Sequence, residues 1–160
     1  MAEKKIRHAR REDAPAMVDL SERKRIEYQG YQPRFWRKAA DSRAKQLPFF
    51  ERLIESDRVI ALVHEEAGSI DGFVIASLMD APPVYDPGGQ TCLIDDFAVG
   101  AASDWATVGK ELLAAAAQSA RERGAVQTVV VCGHRDEPKR SMLAEGGFSL
   151  ASEWYVREIS

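Results

Sequence analysis

Leu93–Arg123, LIDDFAVGAASDWATVGKELLAAAAQSARER, is the stretch whose reading decides the fold. Leu93 to Val99 is apolar apart from Asp95 and Asp96, which predicts a strand of ordinary length. Gly100 to Ser103 is small and polar and ends in a residue able to cap a helix. From Asp104 the spacing changes. Val108, Leu112, Ala116 and Ala120 recur every fourth residue, flanked by Gly109 and Leu113, and predict a long helix closed by Gly124. Val126 to Cys132 is a second apolar run of strand type, set between Gly124 and Gly133. A strand, a helix and another buried strand make a parallel crossover.

Such a unit leaves unpaired N–H groups at the helix start, where the helix dipole also favours an anion such as phosphate. Gly109 lies one turn into that helix, where a missing side chain admits a close neighbour. That neighbour is a ligand or simply the adjacent protein; the stretch alone leaves both open.

Working outward, Lys5 to Ala9 reads as a short strand. Asp13 then reads as a helix cap with Pro15 in the first turn. The helical face of Ala16, Met17, Leu20, Lys24 and Tyr28 is broken by YQGYQP at Tyr28–Pro33. Arg34–Ala44 and Pro48–Ile54 read as two further helical pieces, and Arg58–Val63 and Ile70–Leu78 as an antiparallel hairpin around Gly68. Ala81–Gly89, APPVYDPGG, is irregular. Downstream, Asp136 and Pro138 open a last helix that ends at Gly146–Gly147, and Phe148–Ile159 is expected to hold a final strand or bent hairpin arm.

Length and composition narrow the function classes. A chain of 160 residues predicts one domain, and 45% hydrophobic content suffices for a substantial core. With 22 basic and 25 acidic residues the net charge is −3, which argues against a nucleic-acid partner. Cys92 and Cys132 lie in apolar runs without a CxxC pattern, so buried thiols rather than a metal site are expected. The opening MAEKKIRHARRED lacks an apolar signal region, and no apolar run approaches the ~18 residues of a membrane span. The expectation is a cytoplasmic protein with no membrane partner.

The order of elements and three local motifs resemble the GCN5-related N-acetyltransferase (GNAT) family. IDDFAV resembles its fourth strand, VGKELLAAAAQSARERGA its third helix with a GxxLL pattern, and EPKRSMLAEGGFS its short fourth helix ending in Gly-Phe. IRHARREDAPAMVDL resembles its first strand and helix. The resemblance implies an α/β (α+β) fold: a mixed, mostly antiparallel sheet with one parallel βαβ crossover and helices on both faces, formed by residues 1–160 as a single acyl-CoA N-acyltransferase-like domain. It also implies acetyl-CoA as acyl donor. The backbone of Phe97, Ala98 and Val99 would align its pantetheine, and N–H groups of Trp105, Ala106, Thr107, Val108, Gly109 and Lys110 would take its pyrophosphate. The chain departs from the family pattern at several positions. Asp104 occupies the basic or amide position of the acyl-CoA loop, Thr107 its first glycine, Asp136 a common asparagine, and Leu143 the position of a tyrosine acid.

The implied chemistry is attack of a neutral amine on a thioester, which needs a proton acceptor. Asp96 is the first candidate and Asp95 the second, because neighbours on a strand face opposite sides. His134, after the second parallel strand, is a candidate near the leaving thiol, and Tyr155 a candidate replacement acid. Tyr28, Tyr31, Phe35 and Trp36 either line the acceptor pocket or pack in the core, and Asp86 is placed to meet an amine. His64, in the hairpin, reads as exposed. The acceptor is a primary amine of a small molecule or a protein; a homodimer is left open. The alternative is a GNAT-fold module that binds acyl-CoA or a protein without catalysis.

Overall fold

A computed structural model describes residues 5–160. Its nine regular elements, taken over the described residues, are β1 (Lys5–His8), α1 (Ala14–Tyr31), α2 (Ser42–Glu55), β2 (Val59–Glu66), β3 (Ser69–Met79), β4 (Gln90–Val99), α3 (Val108–Glu122), β5 (Ala125–Val130) and α4 (Glu137–Glu145). The strands form one sheet in the order β1-β2-β3-β4-β5. Three neighbouring pairs are antiparallel, and β4 with β5 is parallel, as the crossover requires.

Alternation along the strands divides the core in two. Ile60, Leu62, Val74, Ala76, Cys92, Ile94 and Phe97 face α3 and α4. Ala61, Val63, Phe73, Ile75 and Ala98 face α1 and α2, where Phe50 and Met17 fill the space. The stripe Val108, Leu112, Ala116 and Ala120 is buried against the sheet. Gly72 lets α3 come close: a Cβ there would lie 2.7 Å from Val108 Cγ1. The β2–β3 hairpin turns on two residues, Ala67 and Gly68, both at positive φ, as a tight hairpin of this length demands.

Several expectations are corrected. The long helix begins at Val108 rather than Asp104, because Ala102–Ala106 forms a separate 3-10 turn. Asp13 does not cap α1; its carboxylate is turned back to Arg7 Nη1 at 2.7 Å and to the Arg10 N–H at 2.7 Å. Residues 34–41 contain turns but no helix, and α2 runs from Ser42 through Pro48. His64 is fully buried: its Nδ1 lies 2.5 Å from Asp71 Oδ1, and its Nε2 3.7 Å from Glu111 Oε2 at the start of α3. No strand forms over Phe148–Ile159. After the Phe148 N–H bonds to Leu143 O at 3.0 Å, residues 149–160 run exposed over the surface. No helix of the described residues is long and apolar enough to cross a membrane.

Candidate active site

The site is built where β4 and β5 part. Their pairing runs from Gln90–Ala125 to Ile94–Val130, and the Val131 N–H still reaches Ile94 O at 2.9 Å. Beyond that point β5 turns away through Cys132 and Gly133, so the edge of β4 from Asp95 to Val99 has no strand beside it on that side. A register shift against β3 falls at the same place: Ile94 pairs with Ala76, Asp96 with Ile75, and Asp95 is the extra residue of a bulge. The bulge overrides simple alternation. Asp95 is exposed, while Asp96 is half-buried on the α1 side of the sheet, the side of Ile75 and Ala98.

On that side α1 contributes Lys24, whose Nζ donates to Asp95 O at 3.4 Å. Burial lowers the Lys24 pKa, although Asp96 and Asp95 oppose the shift. Burial likewise raises that of Asp96, with Lys24 opposing and Asp95 reinforcing. Each partner is therefore biased toward its neutral form, which suits a group that must take up a proton. Tyr28, one helical turn past Lys24, is buried rather than surface-lining. Its hydroxyl donates to Asp136 Oδ2 at 2.6 Å and accepts from the Gly133 N–H at 3.2 Å. Asp136 also caps α4 by accepting from the Lys139 N–H at 3.4 Å. Trp36 packs on Tyr28 at 4.8 Å and against Gly133, whereas Phe35 is exposed.

The same face carries a cleft of about 750 Å³ between the 79–87 loop and the open faces of β4 and β5. Met79, Asp80, Tyr85, Asp86, Leu93 and Val129 are among its walls. Asp86 also accepts from the Gly88 N–H at 2.9 Å, which shapes the loop.

Across the sheet the parting of the strands is floored by a residue the sequence reading missed. Lys139 of α4 is fully buried. Its Nζ donates to Val131 O at 3.0 Å and lies 5.3 and 5.1 Å from the ring centres of Phe97 and Trp105. Burial, and then the charge of Lys24, push its pKa down to about 7. Nothing in EPKRSML distinguishes this lysine from an exposed helix lysine. Its one signal is spacing: it lies three residues from Met142 and four from Leu143, which are also buried. Burial raises the thiol pKa of half-buried Cys132 beside it.

The expected acyl-CoA loop is partly matched. Val108, Gly109 and Lys110 open α3 without a side-chain cap, so their N–H groups are the unpaired donors of a helix start. Trp105, Ala106 and Thr107 belong instead to the 3-10 turn and its junction. Gly109 meets that turn: a Cβ there would lie 2.6 Å from Trp105 Cε3. The Trp105 ring is buried, edge-on to Phe97 at 4.8 Å, and fills the space between the start of α3 and α4. Asp104 points back, its Oδ2 accepting from the Ala101 N–H at 3.0 Å. His134 is exposed, with only its carbonyl engaged, by Arg140 Nη1 at 2.9 Å. Tyr155 sits on the exposed final segment, 2.7 Å from Glu153, and Leu143 packs in the core. Among the described residues no three His, Cys, Asp or Glu side chains gather as a metal set.

The helix donors, the free edge of Phe97–Val99 and the buried amine of Lys139 fit an acyl-CoA thioester.

No protein-family model and no curated protein matches the chain. Solved structures do. A predicted acetyltransferase with acetyl-CoA from Clostridium acetobutylicum is 19% identical, with a TM-score of 0.74 over 99% of this chain and 96% of that one. A mutant of the BH1408 protein from Bacillus halodurans is 13% identical at a TM-score of 0.85, over 98% and 99%. The aminoglycoside N-acetyltransferase AAC(6')-Iy in complex with CoA is 15% identical at 0.72, over 99% and 96%. At these identities the likeness establishes the fold, which is the one the GNAT resemblance implied.

Proposed function

We propose that the protein transfers an acetyl group from acetyl-CoA to a primary amine by direct attack. The observation that carries this reading is the parted β4–β5 edge. It sets Asp96 and Lys24 on one face of the sheet, the face that farther along β4 also carries the open cleft, and a buried lysine beside a helix start on the other.

Acetyl-CoA supplies an acyl group already activated as a thioester. Unpaired N–H groups of Val108, Gly109 and Lys110 bind the pyrophosphate, and the dipole of α3 adds to them. The edge of Phe97–Val99 aligns the pantetheine and offers an N–H to the carbonyl oxygen, an oxyanion-type contribution. Asp96 takes the proton of the incoming ammonium, for which its raised pKa suits it. Lys139 Nζ, with a pKa near neutrality, returns a proton to the leaving sulfur. This fills the role that Leu143 cannot. Asp95 has the second place as base, and exposed His134 a lesser one. Asp80 and Asp86 at the cleft favour a cationic small-molecule amine over a protein side chain. The aminoglycoside acetyltransferase among the fold neighbours is named for small amines of that kind.

One observation favours a second reading, a non-catalytic module. Trp105 occupies the ground between α3 and α4, as a closed remnant of the site would. Calorimetric titration with acetyl-CoA, then a free-thiol assay across an amine panel, decides between them. Binding with thiol release supports transfer. Binding without release on any amine favours the module, and no binding by wild type or Trp105→Ala sinks both.

A further inference from the structure

We propose that His64 is a positioning residue for the acetyl-CoA site: as an imidazolium it clasps the first turn of α3 to the β2–β3 hairpin, so that acetyl-CoA affinity falls as pH rises. The inference rests on the reading that the start of α3 takes the pyrophosphate. Alternation along β2 turns Ile60, Leu62 and His64 toward α3, and the first two are apolar, as a core row requires. His64 is fully buried in that row. Its Nε2 is the one buried side-chain polar atom without a partner among the described residues. Such an atom is costly to leave unpaired.

His64 pairs across the hairpin with Gly72, whose missing side chain lets Val108 and Leu112 of α3 come close at that point. The next pair in register is Glu65–Ile70, so Asp71 is the extra residue of a bulge. Its carboxylate meets His64 Nδ1 at 2.5 Å, and its carbonyl accepts from the Gly100 N–H at 2.8 Å, where β4 has just ended. Glu111, in the first turn of α3, lies 3.7 Å from Nε2. One imidazole thus stands between both ends of the loop that joins β4 to α3. Ionised Asp71 only accepts, so Nδ1 carries a proton. In the neutral ring Nε2 is then a lone pair facing a carboxylate, and it cannot hold Glu111. A second proton turns that contact into a charge-assisted bond. It also offsets the Glu111 charge beside the N–H groups of Val108, Gly109 and Lys110, which an anion must approach. No other charge intervenes from the packed elements: Arg7 of β1 is turned to Asp13 and Glu65, Ile6 is the β1 residue opposite His64, and Lys110 is exposed. Histidine is the side chain that changes charge between about pH 5 and 8.

Acetyl-CoA titrations at pH 6 and pH 8.5, on wild type and Glu111→Gln, test this. A glutamine amide donates to a bare Nε2 and accepts from a protonated one, so the variant keeps the clasp at both pH values. Wild-type affinity relative to that of Glu111→Gln should fall by roughly threefold or more from pH 6 to pH 8.5. The ratio cancels the titration of acetyl-CoA and of other groups. In a His64→Phe background the effect of Glu111→Gln should be the same at both pH values. Should His64→Phe not fold, nitrogen NMR of the wild-type ring takes its place: Nε2 should gain a proton between pH 8.5 and pH 6, with the Glu111 amide shifting in step. A ratio that does not change with pH, or an Nε2 still bare at pH 6, overturns the inference and leaves acetyl-CoA binding in place. Absence of binding by wild type and by Glu111→Gln at both pH values overturns the acetyl-CoA reading as well.

Discussion

Lys139 carries the sharpest prediction. Folding takes its amine from water into a site walled by Phe97, Trp105 and the Val131 carbonyl, and lowers its pKa from 10.5 to about 7. That shift corresponds to roughly 5 kcal/mol of preference for the neutral amine in the folded state. Below pH 7 both states hold the proton, and the folded protein bears the whole penalty. Between pH 7 and 10.5 the unfolded chain binds more protons, so stability rises with pH. Lys139→Met removes the penalty and leaves Val131 O without its donor, a loss of about 1–3 kcal/mol. At pH 6 the variant should therefore be the more stable by roughly 2–4 kcal/mol. Its advantage should shrink above pH 7 by up to ~1.4 kcal/mol per pH unit, and reverse near the alkaline end. Urea unfolding of both proteins at pH 6, 7.5 and 9 measures this. The difference between the two curves isolates Lys139 from the other titrating groups. A difference that stays constant from pH 6 to 9, or a wild type already more stable at pH 6, would refute the reasoning.

Trp105→Ala should lower stability by about 3–5 kcal/mol in denaturant titrations while tightening acetyl-CoA binding, because the buried ring packs on Phe97 and fills the space between the start of α3 and α4. Weaker binding in the folded variant would show that the ring supports the ligand. Gly109→Ala should cost roughly 1–3 kcal/mol in wild type, from the 2.6 Å approach to Trp105, and much less in a Trp105→Ala background. Equal costs in both would dismiss that contact as the reason for glycine. Asp96→Asn should cut turnover on a true acceptor by about 10²-fold or more, with acetyl-CoA affinity kept within a few-fold. Full activity there, together with a large loss in Asp95→Asn, would move the base to the exposed bulge residue.

Much of the fold was legible because it rests on local periodicity. The period-four stripe of α3 and the apolar runs on either side of it allow few arrangements other than a parallel crossover, and the remaining strands follow from turn chemistry. The candidate loop and the two aspartates were legible for the same reason, as features of one strand–loop–helix unit. Three things were not. The bulge at Asp95 depends on how β4 registers against β3, and it decides which acid is half-buried on the Lys24 side of the sheet. Lys139 reads as a solvent-facing helix lysine until α4 is laid over Phe97 and Trp105, since burial is a property of what packs above a residue. Phe148–Ile159 has the composition of a strand, yet a strand forms only beside another one. The rest of the chain leaves the segment unpaired, so composition settled what it can become and tertiary contacts whether it does.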